Sequence, residues 1–224
     1  MDVVDQIKQA VINGKVDADS QYPPGSEGEP GVRELVQEAL DSGKDVDTVL
    51  NQGLIEAMKI VGDKFDKHEY FVPEMLLSAE AMKAGMKLLE PHLSSAQQEQ
   101  KGVLIIGTVK GDIHDIGKNL VSIMLEGAGF KVIDLGTDNS ADEFLEQARE
   151  HPSAIVGLSA LLTTTMQYMR EVIQSLRENG MENKVLIGGA PVHQAFAEEI
   201  QADGYSKNAT GAVSKVSELL GVRA

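Results

Sequence analysis

The chain has no cysteine and no tryptophan, and only 4% of its residues are aromatic. Without cysteine there are no disulfides, no thiolate nucleophile, no zinc ribbon and no iron–sulfur cluster. A metal would have to be held by histidine, by carboxylate or inside a prebuilt cofactor. Positive charge is short as well: 20 Lys and Arg stand against 35 Asp and Glu, a net charge of -15. That balance argues against nucleic acid and anionic membranes as partners. No run approaches the roughly 18 apolar residues that a membrane span needs. The start, Met1-Asp2-Val3-Val4-Asp5, lacks the basic region and apolar core of a secretory signal. A cytoplasmic protein is expected.

At 224 residues the chain can hold one large domain or two small ones. Its first part reads as helical. Val4, Ile7, Val11 and Ile12 form one amphipathic segment and Leu35, Val36, Ala39 and Leu40 a second. Leu50, Leu54, Ala57, Met58, Val61 and Phe65 form a third, with Asp45 or Asp47 as its cap. Val72, Met75, Leu76, Ala79, Met82, Met86 and Leu89 form a fourth, with Pro73 in its first turn. Four such helices with short connections predict a bundle over 1–93. The stretch from Val16 to Gly31, with Pro23, Pro24 and Pro30, reads as a surface excursion. The polar stretch from Pro91 to Lys101 reads as a linker.

From residue 94 to 224 the pattern alternates. Strands are expected at 103–107, 131–135, 154–159 and 184–188, with a weak fifth near 204–206. Helices are expected at 117–128, 141–150, 165–179, 192–201 and 212–220. This alternation predicts a five-stranded parallel sheet of flavodoxin-like (Rossmann-like) type with helices on both faces. Ligands of such sheets bind at the carboxyl ends of the strands, where strand order reverses. The loops to watch are therefore 108–117 and 159–165.

The first of these loops carries the clearest chemistry. Gly111-Asp112-Ile113-His114-Asp115-Ile116-Gly117-Lys118-Asn119-Leu120 follows the buried run Val103-Leu104-Ile105-Ile106 and leads into an apolar helix face. It holds one imidazole and two carboxylates between glycines that permit sharp turns. Ser159-Ala160-Leu161-Leu162-Thr163-Thr164-Thr165 follows the third strand, and Gly188-Gly189-Ala190-Pro191 the fourth. Lys118 invites comparison with a phosphate-binding loop. The glycines enclose five residues rather than four, however, and Asn119 replaces Ser or Thr. A phospho-acceptor receiver domain would need an acid where Ser159 stands. His68, His92, His151 and His193 lack any comparable framing and read as solvated.

Asp112-x-His114-x-x-Gly117, then 41 residues, Ser159-x-Leu161, then 26 residues, and Gly188-Gly189 resembles the signature of cobalamin-binding domains. The particular resemblance is to the corrinoid proteins of methyltransferase systems and the cobalamin module of methionine synthase. Met58-Lys59-Ile60-Val61-Gly62-Asp63-Lys64-Phe65 and Phe71-Val72-Pro73-Glu74 are similar to that group's helical cap. The resemblance covers nearly the whole chain from Val32 onward; the Pro/Gly-rich excursion before it departs from the pattern.

The resemblance implies a corrinoid cofactor, cobalamin, with His114 as the protein's ligand to cobalt. Asp112 would accept a hydrogen bond from the other ring nitrogen, and Thr165 would pass that bond onward. Gly117, Ser159, Leu161, Gly188 and Gly189 would line a slot for the cofactor's displaced dimethylbenzimidazole. Ile113, Asp115, Ile116 and Thr163 complete the implied contacts, and Phe65 and Val72 would cover the upper corrin face. No catalytic side chain is implied. The implied function is that of a methyl carrier. It would accept a methyl group onto Co(I) from a substrate-specific methyltransferase and pass it on through a second, corrinoid:acceptor methyltransferase. A reductive activase completes the implied partners. The alternative is a cobalamin-dependent sensor without turnover, against which the lack of Trp and of a basic DNA-binding domain weighs.

Overall fold

Apolar side chains three and four residues apart pack the N-terminal part of the chain as helices. The computed structural model describes residues 1–93 and 101–222, so residues 94–100 of the expected linker lie outside the described residues. The chain divides into two compact units, Met1–Glu99 and Gln100–Ala224. The first contains α1 (Val3–Ile12), α2 (Val32–Asp41), α3 (Val46–Thr48), a π-helical stretch (Val49–Ile55), α4 (Glu56–Asp66) and α5 (Val72–Leu89). Asp45 rather than Asp47 is the cap of α3: its carboxylate accepts the Thr48 N–H at 2.9 Å.

The third expected helix is therefore not regular. Val49, Leu50, Gly53, Leu54 and Ile55 are all buried, more than one stripe of an ordinary helix can carry. The wider π turn brings them inward together. Gly53 lies so close to α1 that a Cβ there would sit 3.2 Å from Ile7 Cγ2. The excursion at 16–31 is tied down at both ends. Val32 and Arg33 donate backbone N–H groups to the Lys15 and Val16 carbonyls, each at 3.0 Å. The buried Lys15 ammonium donates to the Ser26 carbonyl and hydroxyl.

The second unit contains β1 (Val103–Thr108), α6 (Ile116–Gly127), β2 (Lys131–Asp134), α7 (Ala141–Glu150), β3 (Ile155–Ser159), α8 (Tyr168–Glu178), β4 (Val185–Gly188), α9 (Gln194–Glu199), β5 (Gly204–Ser206) and α10 (Ala209–Leu220). All four strand pairs are parallel, in the order β2-β1-β3-β4-β5. The alternation of side chains along each strand makes two cores. Ile105, Val156, Leu158, Val185 and Ile187 pack with α7, α8 and α9. Leu104, Ile106, Ile155 and Leu186 pack on the other face with α6 and α10. Among the described residues no helix is long and apolar enough to cross a membrane.

The start of α8 differs from expectation. Expected from 165, it begins at Tyr168, because Ala160–Gln167 forms turns that the functional loop needs. The chain steps outward from β1 to β2 and then crosses back past β1 to β3, which reverses direction in the sheet and places the loops after β1 and β3 side by side. Thr108 and Ser159, their last residues, are register partners.

The Phe144 ring is fully buried under Gly107, where an added Cβ would lie 2.8 Å from its Cζ. Phe144→Ala should cost the second unit about 3–5 kcal/mol. Urea unfolding followed by far-UV circular dichroism reads this; an unchanged midpoint would contradict the packing.

Candidate functional site

The site is built from the carboxyl ends of β1 and β3. Asp112 is 1% exposed, and burial of an unpaired carboxylate is costly. Here both of its oxygens are fully engaged. Oδ1 accepts the His114 backbone N–H at 3.0 Å and lies 2.7 Å from His114 Nδ1. Oδ2 accepts the Leu161 N–H at 2.8 Å and the Thr165 hydroxyl at 2.6 Å. Burial pushes the Asp112 carboxyl up, but the bonds from Thr165, Leu161 and His114 outweigh it. They hold it well below the usual carboxylate range.

That direction decides the imidazole tautomer. An ionised Asp112 is only an acceptor, so the proton between it and His114 belongs to Nδ1. In the neutral ring Nε2 then keeps its lone pair, and the side chain is 48% exposed. Thr108 steadies the same loop from beneath, its hydroxyl donating to the His114 carbonyl at 2.9 Å.

The structure brings Asp112, His114, Leu161 and Thr165 into one hydrogen-bonded set. Around it Ile113 is 77% exposed, Ile116 69% and Leu161 43%, an apolar border on an otherwise acidic chain. Asp115 precedes α6 and accepts the Asn119 side-chain amide at 3.0 Å. Ser159 ends β3, its carbonyl accepting the Val109 N–H at 3.0 Å, and Thr163 lies exposed in the next turn. A Cβ on Gly117 would meet nothing within 4 Å, so that space is left open. Gly188 is tighter: a Cβ there would lie 3.2 Å from the Ser206 carbonyl oxygen. Gly189 has φ +130, and a Cβ there would lie 1.8 Å from the Ala160 carbonyl. Its smallness is thus required by the fold itself. Phe65 and Val72 belong to the first unit, half-buried in α4 and at the start of α5.

Lys118 has a structural occupation. Its buried ammonium pairs with both carboxylate oxygens of Asp134 at the end of β2. Neither Thr108 nor Asp134 stood out in the sequence, although both end strands at the ligand-binding edge of a parallel sheet. His193, read as solvated, is exposed and also caps α9, its Nδ1 accepting the Phe196 N–H at 3.2 Å.

Among the described residues no three His, Asp or Glu side chains gather to hold a metal ion. A metal bound at His114 must therefore bring its other ligands with it. One half-exposed imidazole with a fixed lone pair, an apolar border and open space at Gly117 suit a planar, preformed metal complex.

The comparisons with known proteins agree. Residues 102–214 match the family described as the B12 binding domain, and a second B12 binding domain model matches residues 28–90. A corrinoid protein of Desulfitobacterium hafniense (strain Y51) is 42% identical over 99% of this chain and 99% of its own. Dimethylamine corrinoid protein 3 of Methanosarcina acetivorans is 43% identical over 84% of this chain and 91% of its own. Among solved structures, the methanol:cobalamin methyltransferase complex MtaBC of Methanosarcina barkeri is similar. The match has a TM-score of 0.82 and 29% identity, covering 99% of this chain and 81% of that one. The chain belongs to the B12-binding corrinoid proteins, and its cofactor is a corrinoid.

The buried Thr165 bond gives a test of the set without cofactor. Thr165→Val should cost the apo-protein about 1.5–3 kcal/mol, the range for a hydrogen bond to a charged group. Thr165→Ser should recover most of it. Urea unfolding measures both; equal stability of the valine variant and the parent would show that Asp112 does not need the hydroxyl.

Proposed function

We propose that the chain is a cytoplasmic methyl carrier working between two methyltransferases, with His114 as the protein ligand to cobalt. When bound, the corrinoid supplies a cobalt centre able to take up a methyl group and release it. The observation that carries the assignment of His114 is the bond from its Nδ1 to an ionised, buried Asp112. It presents Nε2 as a fixed donor, and carboxylate-oriented imidazoles are the usual form of histidine at metals. Thr165 and the Leu161 N–H keep Asp112 ionised and in place. Ile113, Ile116 and Leu161 offer apolar contact to the flat face of the group. Asp115, Ser159, Thr163 and Gly188 flank the same strand ends, Gly117 leaves room, and Gly189 lets Ala160 approach. Residues 1–93, which carry Phe65 and Val72, are assigned as the cap domain and 94–224 as the cofactor-binding domain.

The carrier role is supported by what the relatives are named for. Several are corrinoid proteins named for dimethylamine and trimethylamine, at 42–44% identity. The methanol:cobalamin methyltransferase complex is more distant, at 29%. A methylated amine is therefore the first donor to test. A substrate-specific methyltransferase and a corrinoid:acceptor methyltransferase are the partners, and a reductive activase would restore the reduced cofactor.

Two measurements check this reading. In protein whose histidines carry nitrogen-15, the Co(II) form should show one coupled axial nitrogen bearing the label. An unlabelled axial nitrogen would remove His114 from the metal. Cobalamin-loaded, reduced protein mixed with its co-purifying methyltransferase should demethylate dimethylamine or trimethylamine in proportion to the carrier present. Cofactor binding with no transfer to or from any partner enzyme would favour a sensor instead.

A further inference from the structure

The loop after β2 contains a non-glycine residue in the left-handed conformation. Asp138 has φ +60, in the left-handed region that a side chain makes costly. Glycine would adopt it freely, and the same loop uses Gly136 at φ +80 two residues earlier. What aspartate adds is the carboxylate, and its Oδ1 accepts the Gly111 N–H at 2.7 Å. The turn also aims the Asp138 backbone N–H at the Asp112 carbonyl, 3.0 Å away. Asp138 thus grips both residues that lead into Ile113 and His114, one through its side chain and one through its backbone.

The grip has a firm base. Asn139, next in the chain and 4% exposed, donates its side-chain amide to the Thr108 carbonyl at 2.9 Å and the Gly136 carbonyl at 3.1 Å. Its backbone N–H donates to the same Thr108 carbonyl at 3.0 Å. Thr108 in turn donates its N–H to the Gly136 carbonyl at 3.0 Å and its hydroxyl to the His114 carbonyl. Gly111 itself sits at φ +80. The Asp112 N–H closes that turn on the Val109 carbonyl at 3.2 Å, and the Asp138 carboxylate takes the Gly111 N–H within it.

We propose that Asp138 is a positioning residue for His114. Asp112 orients the ring, and Asp138 fixes the backbone on which Asp112 and His114 stand, so that Nε2 meets the cobalt at a defined place. The proposal rests on His114 being the protein ligand.

Two variants separate the carboxylate from the backbone conformation. Asp138→Gly keeps the left-handed turn and removes the acceptor. Asp138→Asn keeps an acceptor oxygen and tolerates the same conformation. Each is loaded with cobalamin after nitrogen-15 labelling of histidine, and the axial nitrogen of the Co(II) form is read. Exchange of the Gly111 amide is followed in the apo-proteins. The parent should show the labelled nitrogen and a slowly exchanging Gly111 amide. The glycine variant should lose the label from part of the signal, bind cobalamin about tenfold more weakly and exchange Gly111 faster. The asparagine variant should stay close to the parent. A glycine variant indistinguishable from the parent would overturn the proposal, and so would equal loss in both variants, since asparagine retains the acceptor. A parent without the label would overturn the assignment of His114 and this proposal with it; a labelled parent beside an equally labelled glycine variant would overturn this proposal alone.

Discussion

The buried carboxylate of Asp112 is the constraint on which the functional edge of this protein depends. A carboxylate at 1% exposure stays ionised only if its lone pairs are satisfied. The chain meets that demand from two strand ends, with donors from its own loop and from the loop after β3. The same bonds that stabilise the charge bind the two loops together. One of them reaches the imidazole and sets its tautomer. Stability of the loop and readiness of the ligand nitrogen are therefore one physical fact rather than two.

This arrangement also explains why a single histidine is enough. The chain lacks cysteine, and no cluster of His, Asp or Glu forms among the described residues. On the proposed assignment of His114, the protein would supply one oriented nitrogen rather than a whole coordination sphere. The corrinoid brings the remaining ligands and the reactivity. Ile113, beside His114 in the chain, and Ile116, at the start of α6, are apolar and exposed. Exposed isoleucines on an acidic protein have their explanation in the face that would cover them.

The glycines at this edge divide by cause. Gly189 is demanded by the fold, since any side chain would meet the Ala160 carbonyl. Gly117 is not, since nothing lies within 4 Å of the place its Cβ would take. Lys118 is a similar lesson in a charged residue: beside the functional loop, it is spent on Asp134 and the seating of α6 on the sheet. Its burial makes that ion pair part of the scaffold.

The sequence by itself determined the architecture of both units and the identity of the ligand loop. Periods of two and of three to four residues were strong enough to predict five strands in parallel order and the helices between them. Motif spacing singled out Asp112 and His114, the family resemblance added Thr165, and the fold joins all three. What the sequence could not carry is whatever depends on residues distant along the chain. The π turn at 49–55 arises because α1 presses on Gly53. The late start of α8 follows from the turn that sends the Leu161 N–H and the Thr165 hydroxyl toward Asp112. The parts played by Thr108, Lys118 and Asp138 are likewise invisible in one dimension, because their partners lie across loops whose spacing only the folded sheet decides. Local pattern reports which face of an element is apolar; it does not report which polar atoms will meet once the elements are packed.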